Sequence, residues 1–134
     1  MYLVDTSVMI DVLKGVDNPK ANLFRRFEDH QIPFGISEFG YMELLQGASS
    51  DKAFSELRAT LSTFTMYRHT QNEASYEQAA IIYRQCRKSG VTPRSTIDLL
   101  IAQVAIENNL ELLHNNRDFD AIASVVPELK IAIS

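Results

Sequence analysis

The chain has 134 residues, of which 46% are hydrophobic and 22% charged, and these values predict one globular domain spanning residues 1–134. No apolar run is long enough to cross a bilayer and the N-terminus has no secretory signal pattern, so we expect a cytoplasmic protein with no membrane partner. The net charge of −4 argues against a protein that coats nucleic acid nonspecifically, but it is compatible with a nuclease whose acids surround a metal ion.

The first half of the chain alternates short apolar runs with helical patterns. Tyr2–Val4 is a predicted strand that leads into a helix ending at Gly15. The other predicted elements of this half are strands at residues 32–36 and 65–69 and helices at residues 18–29, 38–46 and 49–64. Asp5 follows the first strand directly, where open α/β sheets place their chemistry, although capping the next helix is an equally ordinary role.

The longest helix is predicted over residues 72–89, with two contrasting faces. The inner face is predicted to hold Ala79, Ile82, Tyr83 and Cys86, and the outer face Arg84, Arg87 and Lys88. A basic outer face is typical of a solvated helix, and RNA contact is the alternative. Because Cys86 is the only cysteine, an internal disulfide is excluded and a zinc site is not indicated.

The helix predicted over residues 95–106 is the most apolar in the chain. Only two polar residues interrupt the apolar run between Ile97 and Ile106, so we expect this helix in the core and Asp98 near the interior. A buried carboxylate is costly unless a cation or hydrogen-bond donors compensate it. Ser95 gives Asp98 a plainer interpretation, as the acidic partner in a helix capping box.

The end of the chain completes an alternating pattern. It contains predicted strands at residues 111–114 and 130–133 and a short helix that ends near Ala123. Strands that alternate with helices predict a parallel sheet covered by helices on both faces. His114 ends the first of these strands; we interpret it as a partly buried structural histidine, with a general base as the alternative.

Four acids are candidates for a common site: Asp5, Glu43, Asp98 and Asp118. Asp5 and Asp118 come after predicted strands, Asp98 opens a helix, and Glu43 lies inside an apolar helix, where a surface glutamate is the plainer interpretation. A parallel sheet brings strand ends and helix starts to one rim. Carboxylates gathered there repel one another unless a cation holds them, and oxygen ligands select Mg²⁺ or Mn²⁺ over zinc. Phosphodiester hydrolysis is the chemistry that such a site suits.

Four segments of the sequence together resemble the PIN domain family and, within it, the VapC-type toxins. They are LVDTS at residues 3–7, YMELLQGA at 41–48, STIDLLIA at 95–102 and LLHNNRDFDAIA at 112–123. Their order and spacing extend the resemblance over essentially the whole chain. It implies a three-layer α/β/α sandwich with a central, mainly parallel sheet, and a divalent-metal-dependent endoribonuclease. It also implies a homodimer that a small VapB-type antitoxin inhibits.

The resemblance also assigns roles to individual residues. The implied catalytic residues and ligands of Mg²⁺ or Mn²⁺ are Asp5, Glu43, Asp98 and Asp118. Thr6 or Ser7 would supply a hydroxyl that orients a ligand or the water. Asn116 stands where many relatives have an aspartate; asparagine keeps an oxygen but loses the charge, so one or two ions remain possible and Asp118 is the compensating acid.

Two partner surfaces are also expected. Arg94 and Arg117 near the rim, and Lys14 as a weaker candidate, would hold RNA phosphates, with ordinary solvent exposure as the alternative. An apolar groove would take an amphipathic antitoxin helix, with core packing as the alternative. The groove is predicted to be lined by Ile10, Leu13, Leu23, Phe24, Phe27, Leu57 and Leu61.

Three other functions fit the sequence less well. A phosphoacceptor receiver domain should have adjacent acids after the first strand, but Asp5 is followed by Thr6 and Ser7. An Asp-x-Asp phosphatase fails for the same reason, because residue 7 is serine. A catalytically silent PIN scaffold that acts by binding partners is indicated only by Asn116, and the four retained acids argue against it.

Overall fold

Five short parallel strands form the centre of the computed structural model, which describes residues 1–133. Ser134, the last residue of the predicted domain, lies outside the described residues. The strands are β1 (Tyr2–Val4), β2 (Phe34–Ser37), β3 (Thr65–Tyr67), β4 (Glu111–Leu113) and β5 (Lys130–Ile131). Their order is β3-β2-β1-β4-β5 and each neighbouring pair is parallel, so the sheet predicted to be mainly parallel is parallel throughout.

Helices cover both faces of this sheet. They are α1 (Thr6–Leu13), α2 (Pro19–Asp29), α3 (Glu38–Gln46), α4 (Asp51–Leu61), α5 (Glu73–Lys88), α6 (Thr96–Glu107) and α7 (Arg117–Val125). Alternate side chains of β1 point to opposite faces: Leu3 packs with α5, α6 and α7, whereas Val4 packs with α1, α2 and α3. The predicted three-layer α/β/α sandwich is therefore confirmed, with one apolar core on each side of the sheet.

Capping side chains explain where the helices begin. Ser37, Ser50 and Ser95 each accept a backbone N–H from the first turn of α3, α4 and α6 through the side chain. Asn18 caps α2 in the same way and is followed by a proline at the first helical position. The predicted helix over residues 49–64 is shorter in the structure because Ser50 is its cap and its last residues form a turn.

The core position predicted for α6 is confirmed. Seven of its twelve residues are buried, and Ala102 and Ala105 have no exposed surface, which lets the helix lie close to its neighbours. Asp98 is buried in the first turn of this helix, with 9% of its surface exposed. The start of α6 thus carries a carboxylate into the interior beside the sheet.

The outer helix α5 buries a narrow stripe. Ser75, Ala79, Ile82 and Cys86 are buried at spacings of three or four residues, and Cys86 has no exposed surface. Tyr83 was predicted to face inward with them, but 37% of it is exposed. The prediction was wrong because Tyr83 lies one residue beyond Ile82 and so turns away from the stripe.

One glycine is required by the sheet itself. Gly35 in β2 lies under the ring of Tyr67 in β3, and a Cβ added there would clash with the ring and stand 2.7 Å from the carbonyl oxygen of Thr65. The backbone oxygen cannot move aside, so the aromatic ring packs there only because residue 35 has no side chain.

Among residues 1–133, no helix is long and apolar enough to cross a membrane.

Candidate active site

The order of the strands creates a crevice beside β1. From β1 the chain first builds outward through β2 and β3, and then returns to add β4 and β5 on the other side. Open α/β sheets bind ligands at such a reversal, beyond the carboxyl ends of the strands. A receiver domain would place β1 beside β3, whereas here β1 pairs with β2 and β4, so the topology argues against that alternative.

Asp5 follows β1 into this crevice and is 7% exposed. Its Oδ2 accepts hydrogen bonds from the Ser7 backbone N–H at 3.1 Å and from the Ser7 hydroxyl at 2.6 Å. Asp5 therefore caps α1, as its plainer interpretation predicted, and still presents its carboxyl group at the rim. The cap fixes the orientation of the carboxylate, so the two roles are compatible.

Ser7 is connected to β4 through a residue that the sequence reasoning missed. Its Oγ accepts the Asn115 backbone N–H at 2.9 Å, and the Asn115 side chain donates to Asp11 of α1 at 2.9 Å. These bonds join the loop after β4 to α1 across the crevice. The available signal was that Asn115 comes two residues after a strand of the sheet, where polar side chains reach the rim.

Glu43 reaches the same rim from α3. The Thr6 hydroxyl donates to Glu43 Oε1 at 3.1 Å, so Thr6 and Ser7 each hold a different carboxylate. The approach of α3 to α1 depends on Gly40, where an added Cβ would stand 3.2 Å from Thr6 Oγ1. Burial raises the pKa of Glu43 and the Asp5 charge adds to this, while the Thr6 hydrogen bond opposes it.

Asp98 is the most strongly perturbed acid of the site. Burial, together with the charges of Asp5, Asp118 and Glu43, raises its pKa to about 6. The Asn116 amide opposes this by donating to Asp98 Oδ2 at 3.1 Å. The Asp98 backbone N–H donates to the Ser95 hydroxyl at 3.4 Å, which is one half of a capping box. The four predicted acids therefore lie close enough to influence a single carboxyl group.

Asp118 is paired with Arg94 in the structure. The guanidinium donates from Nε and Nη2 to both carboxylate oxygens at 3.1–3.2 Å. This pairing raises the pKa of Arg94. Arg94 was predicted to contact RNA phosphates; here its guanidinium is paired with Asp118, and the contact with RNA stays a prediction. The other two predicted cations, Lys14 and Arg117, are exposed.

His114 has the structural role that was preferred from the sequence. It is 3% exposed, and its Nδ1 accepts the Asn116 backbone N–H at 3.0 Å, which shapes the loop after β4. Burial lowers its pKa, although the Asp120 carboxylate 3.2 Å from Nε2 opposes this. A neutral imidazole that accepts at Nδ1 organises the loop and needs no solvent contact.

The donors of the rim fit a hard divalent ion in their chemistry. Four carboxylates and the Asn116 amide supply oxygen ligands, and their mutual repulsion at Asp98 is the electrostatic imbalance that a cation would relieve. As arranged within residues 1–133, no three acidic, histidine or cysteine side chains converge on one point. Asp118 would have to exchange its Arg94 partner, and Asn116 would have to turn its oxygen toward the rim, to join such a ligand set.

The predicted antitoxin groove is partly wrong. A cavity of about 440 Å³ is lined by Ile10, Leu13 and Leu57 together with Lys14 and Glu43, so three of the seven predicted residues share it. The other four do not. Phe24, Phe27 and Leu61 are at most 2% exposed in the core between the helices and the sheet, and Leu23 packs against that core. They belong to the same amphipathic stripes as the groove residues, and periodicity alone does not separate a buried face from a groove.

The fold and the site define a class of protein, a parallel α/β/α sandwich with acids beside the point where the strand order reverses. Comparison with known proteins identifies this class. The family model described as PIN domain matches residues 2–125. The chain therefore belongs to the PIN domain family, as its sequence motifs indicated.

Curated and solved relatives agree with this assignment. Ribonuclease VapC11 of Mycobacterium tuberculosis is 30% identical over 126 residues, which cover 93% of each chain. A toxin–antitoxin complex from Klebsiella pneumoniae contains a chain that is 25% identical, with a TM-score of 0.69 over 98% of this chain and 100% of that one. VapBC-1 from nontypeable Haemophilus influenzae has the same fold, with a TM-score of 0.73 at 22% identity over 98% of this chain and 96% of that one.

Proposed function

We propose that the protein is a divalent-metal-dependent endoribonuclease and the toxin of a VapBC-type toxin–antitoxin pair. The observation that carries the proposal is the position of Asp98, where burial and three neighbouring carboxylates raise one pKa to about 6 in a chain of the PIN family. PIN-domain ribonucleases in general depend on a divalent metal. Relatives such as Ribonuclease VapC11 support RNA as the substrate.

Asp5 and Asp98 would hold Mg²⁺ or Mn²⁺, with Glu43, Asp118 and Asn116 completing the site. When bound, the ion supplies positive charge that orients the attacking water and offsets charge on the phosphate during in-line displacement. The chain's own contribution is positioning. The Ser7 hydroxyl holds Asp5 and the Thr6 hydroxyl holds Glu43, so the carboxylates are oriented before substrate arrives.

The first prediction is that the purified protein cleaves a structured RNA with Mg²⁺ or Mn²⁺ and not with EDTA, and that Asp98→Asn abolishes cleavage without loss of folding. The variant removes a charge that would bind the ion but keeps the shape of the side chain. Cleavage is followed on gels and folding by circular dichroism. Asp29→Asn is the matched control, because it removes one exposed carboxylate at the end of α2.

Two results would contradict the proposal. Unchanged cleavage by Asp98→Asn would remove this residue from the mechanism. A folded wild type that cleaves with neither ion would favour the silent scaffold, for which Asn116 and the Arg94–Asp118 pair are the supporting features. Titration with each ion separately distinguishes Mg²⁺ from Mn²⁺.

The partner of this toxin would be a VapB-type antitoxin that lays an apolar helix face on Ile10, Leu13 and Leu57. The structural neighbours, which are toxin–antitoxin and VapBC complexes, support such a partner. We also propose a homodimer in the cytoplasm, with Lys14 and Arg117 as exposed contacts for RNA phosphates. Light scattering tests the dimer, and a monomer across micromolar concentrations would contradict it.

The second prediction concerns this groove. Leu13 is 61% exposed at its edge, so Leu13→Asn should weaken retention of the co-expressed antitoxin roughly tenfold through lost apolar contact. Ribonuclease activity of the isolated variant should be retained. The control is Met42→Asn, because Met42 is 54% exposed on α3 outside the groove lining. Equal retention of the antitoxin by both variants would place its docking surface elsewhere.

A further inference from the structure

A second cavity, of about 510 Å³, lies between α5 and the start of α6, beside the acidic rim. Its walls include Ala80, Tyr83 and Arg84 from α5, and Pro93, Arg94 and Leu99 from the loop before α6 and its first turns. Pockets that hold small organic groups occupy roughly 300–1,000 Å³. The cavity is therefore large enough for a flat group such as a nucleobase, and the carboxylates described above do not line it.

The exposed side of α5, which borders this cavity through Tyr83 and Arg84, combines an aromatic ring with cations. Tyr83, Arg84, Arg87 and Lys88, which we call the α5 face, are exposed and spaced so that they share one side of the helix. The Arg87 guanidinium donates to the Tyr83 hydroxyl at 3.2 Å. This bond holds a positive charge at the edge of the ring while 37% of Tyr83 remains exposed.

The charge of this surface differs from that of the whole molecule. Three cations fall within five residues of a chain whose net charge is −4, and none of the described residues lining the cavity is acidic. Arg94 connects the surface to the rim, because its side chain lines the cavity while its guanidinium contacts Asp118. A polyanion that enters the acidic site from this side meets these cations first.

We propose that the α5 face binds an unpaired nucleotide of the RNA adjacent to the cleaved bond, with its base against Tyr83 and its phosphates at Arg84 and Arg87. The inference rests on the proposed function, since RNA is the ligand. Stacking on an aromatic ring accepts any base, and cations follow the backbone, so this surface contributes affinity and single-strand preference.

A second copy of the chain fits this face less well. A two-fold interface centred on this face would bring Arg84, Arg87 and Lys88 near the same three cations of the second copy, and like charges at short distance oppose association. An RNA strand supplies the opposite charge at each position. The charge of the α5 face therefore favours nucleic acid over self-association.

The test measures binding without cleavage. Fluorescence anisotropy follows a short fluorescein-labelled single-stranded RNA of mixed sequence titrated with the full chain in EDTA. Tyr83→Leu should raise the dissociation constant roughly tenfold because stacking is lost. Tyr83→Phe keeps the ring and should stay within about twofold of the wild type. Arg84→Gln should weaken binding and reduce the slope of log K against log salt concentration by about one.

Lys52→Gln is the matched control for lost charge. Lys52 is exposed on α4, which packs against α3 in the opposite helical layer, so its removal should leave RNA affinity and salt slope unchanged. Sedimentation velocity of each variant without RNA records the oligomeric state. Affinity lost in Tyr83→Leu and Arg84→Gln, with the control and the oligomeric state unchanged, is the expected result.

Two results would overturn the inference. Wild-type affinity in Tyr83→Leu and Arg84→Gln would show that RNA binds elsewhere, and dissociation of a dimer by either variant would make the α5 face an interface between copies. A wild type that binds RNA through this face but never cleaves it would defeat the ribonuclease proposal alone. Cleavage by a wild type whose α5 variants bind normally would defeat only this inference.

Discussion

The ionised form of Asp98 destabilises the folded protein. The side chain is 9% exposed and surrounded by Asp5, Glu43 and Asp118, so its ionised form is poorly solvated and repelled. The folded state holds the Asp98 proton up to about pH 6, whereas an unperturbed aspartate releases it near 3.8. Because the folded state binds more protons in this window, the free energy of unfolding falls as the pH rises from 3.8 to about 6.

The third prediction follows from that sign. In EDTA at neutral pH, Asp98→Asn should raise the free energy of unfolding by roughly 1–3 kcal/mol, because the amide needs no ionisation in a buried position. The gain should disappear below about pH 4, where the wild-type carboxyl is protonated in both states. Urea unfolding at several pH values measures it. Equal stability of the two proteins at neutral pH would mean that Asp98 is well solvated.

At the scale of single elements, α3 shows how a helix carries a carboxylate to its position. Gly40 faces the first turn of α1, and its missing side chain leaves room for the hydroxyl of Thr6 that holds Glu43. The sequence indicated only that Gly40 precedes Glu43 by about one turn. The hydrogen bond between Thr6 and Glu43 joins residues 37 positions apart, and helical periodicity does not predict it.

The fourth prediction compares two glycines of α3. Gly40→Ala should lower the rate of RNA cleavage about tenfold, because the new Cβ 3.2 Å from Thr6 Oγ1 displaces the partner of Glu43. Gly47→Ala at the end of the helix meets only ordinary contacts of 3.5 Å or more and should leave the rate unchanged. Initial rates and thermal unfolding are measured for both. Equal rates would separate the Thr6–Glu43 hydrogen bond from catalysis.

The elements themselves were largely predictable from local patterns. Capping residues such as Ser37 and Ser95 and the apolar run of α6 define helices through interactions within a few residues. Tyr83 and the groove residues Phe24 and Phe27 were misplaced because burial depends on which neighbour packs against a helix. When that neighbour is unknown, periodicity alone places the edge of the buried face of a helix wrong by about one residue.

At the scale of the whole molecule, the position of the candidate site was predictable from the sequence, whereas the side-chain contacts that join its loops were not. Asp5, Asp98 and Asp118 follow strands or open helices, so a parallel sheet brings them to one rim whatever its strand order, whereas Glu43 reaches that rim from inside α3. The Arg94–Asp118 pair and the link from Asn115 to Ser7 depend on how separate loops meet at that rim. The two helical layers also divide the surface, with the apolar groove on one side and the α5 face on the other.

The fifth prediction concerns the stability of the whole molecule in the presence of the ion. Millimolar Mg²⁺ or Mn²⁺ should raise the Tm of the wild type, because an ion that binds only the folded state stabilises it. Asp98→Asn should show a much smaller rise, while Asp29→Asn should match the wild type. Differential scanning fluorimetry with EDTA as the reference provides the comparison. Identical shifts in all three proteins would indicate an effect of ionic strength.

The single thiol offers an internal reporter for these measurements. Cys86 lies on the buried face of α5 with no exposed surface, and burial raises its pKa. An alkylating reagent therefore reaches a reactive thiolate only when α5 detaches. The labelling rate of the native protein would therefore measure how often α5, which carries Tyr83 and Arg84, detaches. An oligonucleotide bound across α5 would slow the labelling even though it does not contact the Cys86 sulfur.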